Sequence, residues 1–232
     1  PPSPILSGLV GSEMCIRDSI NMIQIKSFTF NDFQENTYII SLNNQCVIID
    51  PGNYYDNENI EIKNFIDSKN FIVNCILLTH CHIDHILGIK YLQDIFNVDV
   101  FIPAGEEEMY KSSENIAVLY GLNSYNHFED VKLLGSENKL SFGDINFDVL
   151  NVPGHSQDHR AFLLKDEKAC LSGDVLFKNS IGRTDLPGGD YDTLIKSIKN
   201  TLFLVGDDVT IYPGHGPLTL VKDEIEQNPF LN

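Results

Sequence analysis

Three of the seven histidines stand within one short window, in the run Thr79-His80-Cys81-His82-Ile83-Asp84-His85. Nothing else in the chain narrows its folding options as much, because a crowd of imidazoles and carboxylates is useful only when rigid elements hold it. The flanking sequence predicts such elements. Asn74–Thr79 is a short apolar run of the kind that forms a buried strand, and it delivers the chain into His80. From Ile83 to Phe96 the residues Ile86, Ile89, Leu92 and Ile95 return at helical spacing. Residues two apart in an extended segment point the same way, so His80 and His82 can grip one ion together. Asp84 and His85 fall where the chain turns into the helix and can face a second ion from the opposite side. Neutral imidazole and carboxylate are ligands that Zn2+, Fe2+ or Mn2+ accept.

Three further ligand types follow predicted strands. His155 comes after Val152-Pro153-Gly154, Asp174 after Ser172-Gly173, and His215 after Tyr212-Pro213-Gly214. Glycine before each lets backbone approach a site without a side chain in the way. Polar groups at strand ends, converging on one sheet edge, are how α/β folds build sites. A lone loop histidine is more often a surface or satisfied core residue. The density of this set outweighs that reading, and all seven residues are candidate metal ligands.

The rest of the chain predicts the frame. Ile23–Thr29, Thr37–Leu42 and Cys46–Asp50 read as consecutive strands, Asn59–Asp67 as a helix, and Val98–Ile102 as a further strand. Glu106–Leu119 is expected to be helical; Lys139–Phe142, Ile145–Asn151, Ala161–Leu164 and Lys168–Ser172 to be strands. Asp190–Leu204 reads as an amphipathic helix, Val209–Tyr212 as the last strand and Thr219–Gln227 as the last helix. Two successive halves of strands followed by helix predict an α/β fold, with two packed sheets and helices outside, in a single domain. Residues 1–21 lack the basic and apolar regions of a signal peptide and are expected to be a non-native or disordered extension, with the domain over residues 22–232. No stretch approaches the roughly eighteen apolar residues of a membrane span. The five scattered cysteines, without paired spacing, fit a reducing, cytoplasmic compartment. A formal charge of −17 repels phosphate backbones, so nucleic acid is not an expected partner.

The order HxHxDH, PGH, SGD and PGHGP resembles the metallo-β-lactamase superfamily, and within it the glyoxalase II-like branch. The run Ile181-Gly182-Arg183-Thr184-Asp185-Leu186-Pro187-Gly188-Gly189-Asp190 and the final Asn228-Pro229-Phe230-Leu231 resemble small bacterial members of that branch. The likeness extends from Met22 to the end. It implies a four-layered αβ/βα sandwich and two divalent ions, Zn2+ or else Fe2+ or Mn2+. By that likeness His80, His82 and His155 hold the first ion, Asp84, His85 and His215 the second, and Asp174 bridges them. The implied reaction is hydrolysis of a small-molecule thioester such as S-lactoylglutathione, with Asp84 both binding metal and orienting the attacking water. Two departures bear on substrate. His155 is followed by Ser156-Gln157-Asp158 where relatives often read Thr-Pro-Gly, and little sequence follows His215 to match the helical glutathione-binding region of full glyoxalases II.

Other residues receive lesser roles. Asp50 is expected to orient the ligand loop from behind or to cap a turn, and Arg183 and Asp185 to brace the loop around Asp174 or touch substrate. His159 and Cys81 are assigned to packing and His127 to the surface, while Tyr110, Tyr120 and Tyr125 are candidates for a substrate wall. Two rival readings stay open: a persulfide dioxygenase with one iron on His80, His155 and Asp174, and a phosphodiesterase or nuclease using the same ligands. True β-lactamases of the superfamily generally carry Cys or Ser in place of Asp174.

Overall fold

Alternating strands at the start of the chain fold as an antiparallel meander of β1 (Gln24–Phe30), β2 (Glu35–Leu42) and β3 (Gln45–Ile49). The structure is a computed structural model, and it describes residues 22–231. The expected extension over residues 1–21 and Cys15 lie outside the described residues. Helix α1 (Asp56–Ser68) leads to β4 (Ile72–Leu77), and α2 (Ile89–Phe96) to β5 (Asp99–Pro103). Two short helices, α3 (Glu107–Lys111) and α4 (Ser113–Leu119), precede β6 (Val131–Leu134). The first sheet runs in the order β1-β2-β3-β4-β5-β6, parallel from β3 onward.

The second half repeats the plan. Strands β7 (Lys139–Phe142), β8 (Ile145–Asn151), β9 (Arg160–Leu164) and β10 (Ala169–Gly173) form an antiparallel run. A small hairpin, β11 (Leu176–Phe177) and β12 (Ser180–Ile181), precedes helix α5 (Tyr191–Asn200). Strand β13 (Thr210–Pro213) then joins β10 in parallel, and β14 (Thr219–Leu220) and α6 (Val221–Gln227) close the described chain. The second sheet therefore reads β14-β13-β10-β9-β8-β7.

Strand alternation sorts the apolar side chains into three cores, which identifies four layers. Ile39, Ile48, Ile76 and Val100 face α1 and α2 through Ile62, Ile66, Ile89 and Leu92. On the opposite strand faces, Ile40, Val47, Ile49 and Leu77 meet Phe147, Val149, Phe162 and Leu171 of the second sheet. That sheet's outer residues Ala161, Leu163, Cys170 and Ile211 pack on Leu194, Ile198 and Val221. The expected αβ/βα sandwich is the observed architecture. Phe162 sits fully buried between the sheets with its ring 5.9 Å from that of Phe147. Phe162→Ala is expected to cost about 3–5 kcal/mol, because the rigid strands cannot collapse into the space left. Urea unfolding measures it.

Several expected elements are corrected. The helix expected over 83–96 is a 3-10 turn at Ile83–His85 followed by α2, with a break at Gly88 where a side chain would strike Asn53. The helix expected over 106–119 divides at Ser112, whose hydroxyl bonds back to the Glu108 carbonyl at 2.5 Å. The expected helix 190–204 stops at Asn200 before a 3-10 turn, and that over 219–227 begins as β14. Strand β6 has too little alternation to announce itself. Among the described residues no helix is long and apolar enough to cross a membrane.

Candidate metal centre

The seven predicted ligands meet at one edge of the sandwich, four of them just past strand ends and His82, Asp84 and His85 on the turn that follows His80. Strand β4 runs out into His80, β8 into His155, β10 into Asp174 and β13 into His215. The ligand atoms of His80, His82 and His155 lie within 4.8 Å of one another, and so do those of Asp84, His85 and His215. Asp174 faces both groups: Oδ2 is 3.6 Å from His155 Nε2 and 3.5 Å from His215 Nε2, and Oδ1 is 3.5 Å from His85 Nε2. Asp50, His80 and His85 also fall within 4.8 Å, but both Asp50 oxygens are engaged by Thr79.

Burial and hydrogen bonding test whether these atoms fit a metal. Nε2 of His80, His82, His85 and His155 and Oδ1 of Asp174 are buried without a hydrogen-bond partner among the described residues. Each such atom costs about 1–3 kcal/mol when left unpaired. Five of them, all of ligand type and turned toward one another, fit divalent metal ions.

The far side of three of the rings is held. His155 Nδ1 donates to the Arg183 carbonyl at 2.9 Å, and His215 Nδ1 sits 3.1 Å from the Phe33 and Gln34 carbonyls. For His155 that bond puts the proton on Nδ1 and leaves the Nε2 lone pair facing the centre, while Nε2 of His215 faces Asp84 Oδ2 at 3.0 Å. His80 Nδ1 lies 3.0 Å from the Thr79 hydroxyl, which itself donates to Asp50 Oδ2 at 2.6 Å. Asp50 adopts the left-handed conformation, φ 49°, which Asp tolerates better than most residues and which turns its carboxylate back onto Thr79. Thr79→Val is therefore expected to weaken metal affinity roughly 10- to 100-fold, because His80 loses the partner that sets its tautomer. Competition with a chromophoric chelator measures this.

Electrostatics point the same way. Burial pushes His80 well below its ordinary value, with His85 and His159 adding to the effect, and burial together with His155 brings His82 down to about 3. These rings are neutral, the form that donates a lone pair. His85 differs. Burial opposes its charge, but Asp174 and Asp84 hold it well above the ordinary range. Burial resists ionisation of Asp174 in turn, yet His85 overrides it and keeps the carboxyl strongly acidic.

Glycine is obligatory beside the ligands. A Cβ at Gly214 would lie 2.1 Å from Asp174 Oδ1, and one at Gly173 would lie 2.5 Å from the Thr79 hydroxyl and 2.6 Å from the His159 ring.

The secondary residues are placed as follows. Asp50 lies behind His80 and 3.4 Å from His85 Nδ1. Arg183 braces His155 through its backbone, while its guanidinium pairs with Asp185 at 2.7 and 2.8 Å. His159 does more than pack: its Nε2 accepts the Asp174 backbone N–H at 3.1 Å and its ring stacks on His80 at 4.6 Å. Cys81 is buried in the outer core of the first sheet. His127 is not a free surface residue. It is half-buried, with Nδ1 3.0 Å from the Ser113 hydroxyl. Of the three tyrosines, Tyr120 alone lines the groove; Tyr110 bonds the Phe128 carbonyl and Tyr125 the Ser113 hydroxyl.

The sequence reading missed Glu35. It is fully buried, with Oε2 accepting from Thr37 at 2.8 Å and Oε1 3.8 Å from His85 Nδ1. A carboxylate on an inward-facing strand position was the available signal. Also missed were Asn36, which donates to the Pro213 and Gly216 carbonyls at 3.1 and 2.8 Å, and Tyr38, which donates to Pro213 at 2.7 Å.

The ligands open onto a groove of about 470 Å³. Phe33, Tyr120, Phe177, Ile181 and Leu186 give it apolar walls, and Arg183 is its basic residue. Phe33 and Tyr120 meet edge to face at 5.5 Å.

Comparison with known proteins agrees with this geometry. A family model described as the metallo-beta-lactamase superfamily matches residues 30–215. The hydroxyacylglutathione hydrolase GloC of Haemophilus influenzae is 34% identical over 203 residues, covering 86% of this chain and 94% of that protein. Among solved structures, the BLEG-1 B3 metallo-beta-lactamase superposes with a TM-score of 0.83 at 32% identity, covering 90% of this chain and 100% of that one. TTHA1623 in a di-iron-bound form gives 0.80 at 33% identity, covering 89% and 100%.

Proposed function

The chain belongs to the metallo-β-lactamase superfamily, and from that premise we propose that it is a binuclear metal-dependent hydrolase of small-molecule thioesters. The observation that carries the hydrolase reading is the set of unpaired, buried ligand atoms gathered beside one groove, whose lining includes His82, Asp84, His155, Asp174 and His215. The thioester follows from the likeness to GloC along nearly its whole length. His80, His82 and His155 would hold one ion, Asp84, His85 and His215 the other, with Asp174 facing both. Zn2+ suits the imidazole-rich set, and Fe2+ or Mn2+ are accepted by the same donors. Divalent ions in such a site lower the pKa of bound water and polarise a carbonyl.

The protein's own groups supply the rest. Asp84 is half-buried and lines the groove, its Oδ2 3.0 Å from His215 Nε2, and it would orient the attacking water with its other oxygen. The apolar walls seat the acyl or thiol portion and limit competing water. A thiolate leaves readily, so no strong general acid is required. The overall charge of −17 keeps polyanionic backbones away, which favours a small substrate over nucleic acid.

The test is a substrate panel on the metal-loaded protein: S-lactoylglutathione, a simple acyl thioester, bis-p-nitrophenyl phosphate and a chromogenic β-lactam, with oxygen uptake measured on glutathione persulfide. Thioester cleavage at the highest kcat/KM, without oxygen uptake, is expected. Preference for any other member of the panel would replace this reading.

A further inference from the structure

The first sheet's loops provide His80, His82, Asp84 and His85, and the second sheet's provide His155, Asp174 and His215. Each trio of ligands therefore spans two halves of the molecule. Around His215 the halves are tied by Asn36 and Tyr38, which bond the Pro213 and Gly216 carbonyls, and by a bridge between Glu35 and His215. A separate tie lies beside His155. Glu106, 1% exposed just after β5, accepts the Asp158 backbone N–H on Oε1 at 2.8 Å. Asp158 returns the bond, its Oδ2 accepting from the Gly105 N–H at 2.8 Å. The fit is close, since a Cβ on Gly105 would lie 2.6 Å from the Asp158 Cβ. Arg160 steadies Asp158 from its own strand at 2.6 Å and bonds the Gly135 carbonyl.

Asp158 stands in the short loop between His155 and His159, the residues whose rings meet His82 and His80 at 4.5 and 4.6 Å. We infer that Glu106 is a positioning residue for the His80–His82–His155 trio alone: the two bonds that join Gly105-Glu106 to Asp158 set how far the His155 loop stands from the His80–His82 segment. The second trio has its own tie and does not depend on it. Geometric tolerance for a preorganised ligand set is about 0.5 Å, so losing a buried bond to the loop backbone has a local effect on ion affinity.

This rests on the two-ion reading, and the experiment keeps the two apart. Stepwise Zn2+ affinities of the full chain are measured by competition with a chromophoric chelator. Zinc anomalous diffraction from crystals at limiting Zn2+ shows which trio each affinity belongs to. Glu106→Ala is expected to weaken the His80–His82–His155 trio roughly 10-fold or more, with the other trio changed less than about threefold. Glu106→Gln, which retains the accepting oxygen, is expected to restore the first affinity. Gly105→Ala, which forces Asp158 away, is expected to reproduce the loss. Asn36→Ala is expected to show the opposite pattern. Wild-type affinities in Glu106→Ala, equal loss at both trios, or failure of Glu106→Gln to restore binding would each overturn the inference. A wild-type chain that takes up fewer than two ions would instead overturn the two-ion reading itself.

Discussion

Asp84→Asn is expected to lower thioester turnover by at least about 1,000-fold, or some 4 kcal/mol of transition-state stabilisation, while the protein stays folded. The substitution is nearly isosteric, and Asn31 still bonds the residue 84 carbonyl at 3.1 Å, so the loop has no reason to move. What changes is charge and lone-pair direction. The carboxylate sits 3.0 Å from His215 Nε2 and 3.7 Å from His85 Nε2, and it has two proposed duties, holding an ion and aligning water. An amide does the first poorly and the second with one oxygen too few. Steady-state kinetics should be paired with metal content by mass spectrometry and with circular dichroism. Turnover within about tenfold of wild type, with both ions retained, would remove Asp84 from the mechanism.

Gly214→Ala is the second large effect, and it involves no ligand. A methyl group there would occupy space 2.1 Å from Asp174 Oδ1 and 2.7 Å from His85 Cε1. The backbone cannot retreat, because the Gly214 N–H donates to the Gly173 carbonyl at 2.9 Å and its carbonyl accepts from Asn36 at 2.7 Å. Asp174 and His85 must therefore give way. Metal content is expected to fall below about one-tenth of wild type, and activity with it, against an overpacking cost of only about 1–3 kcal/mol in stability. A folded Gly214→Ala protein carrying a full complement of metal would show that the site tolerates a displacement its geometry forbids.

Much of this site was legible in the sequence because ligand chemistry is local. His80 to His85 are neighbours in the chain, and His155, Asp174 and His215 each follow a strand and a glycine. The two-sheet frame was legible for a similar reason, since period-two alternation survives wherever a strand has one clearly apolar face. What was not legible depends on partners distant in sequence. Glu35 is buried because His85 and Thr37 receive it, and Asn36 reaches the Pro213 and Gly216 carbonyls. Nothing near Glu106 marks it as the acceptor for Asp158. The helix expected over 83–96 failed for a related reason: apolar spacing continued through Ile86, while the ligands needed a tighter turn at Ile83–His85. Periodicity reports which face is covered, not where a backbone must bend to present a side chain.

The order in which the ligands enter has a consequence for biosynthesis. His80 emerges from the ribosome long before His215, and β13, which leads into the last of them, pairs in parallel with β10, made about forty residues earlier. Until that strand docks, the nascent protein lacks the imidazole that completes the second trio. A site that draws ligands from both halves of the molecule is therefore complete only when β13 is in place.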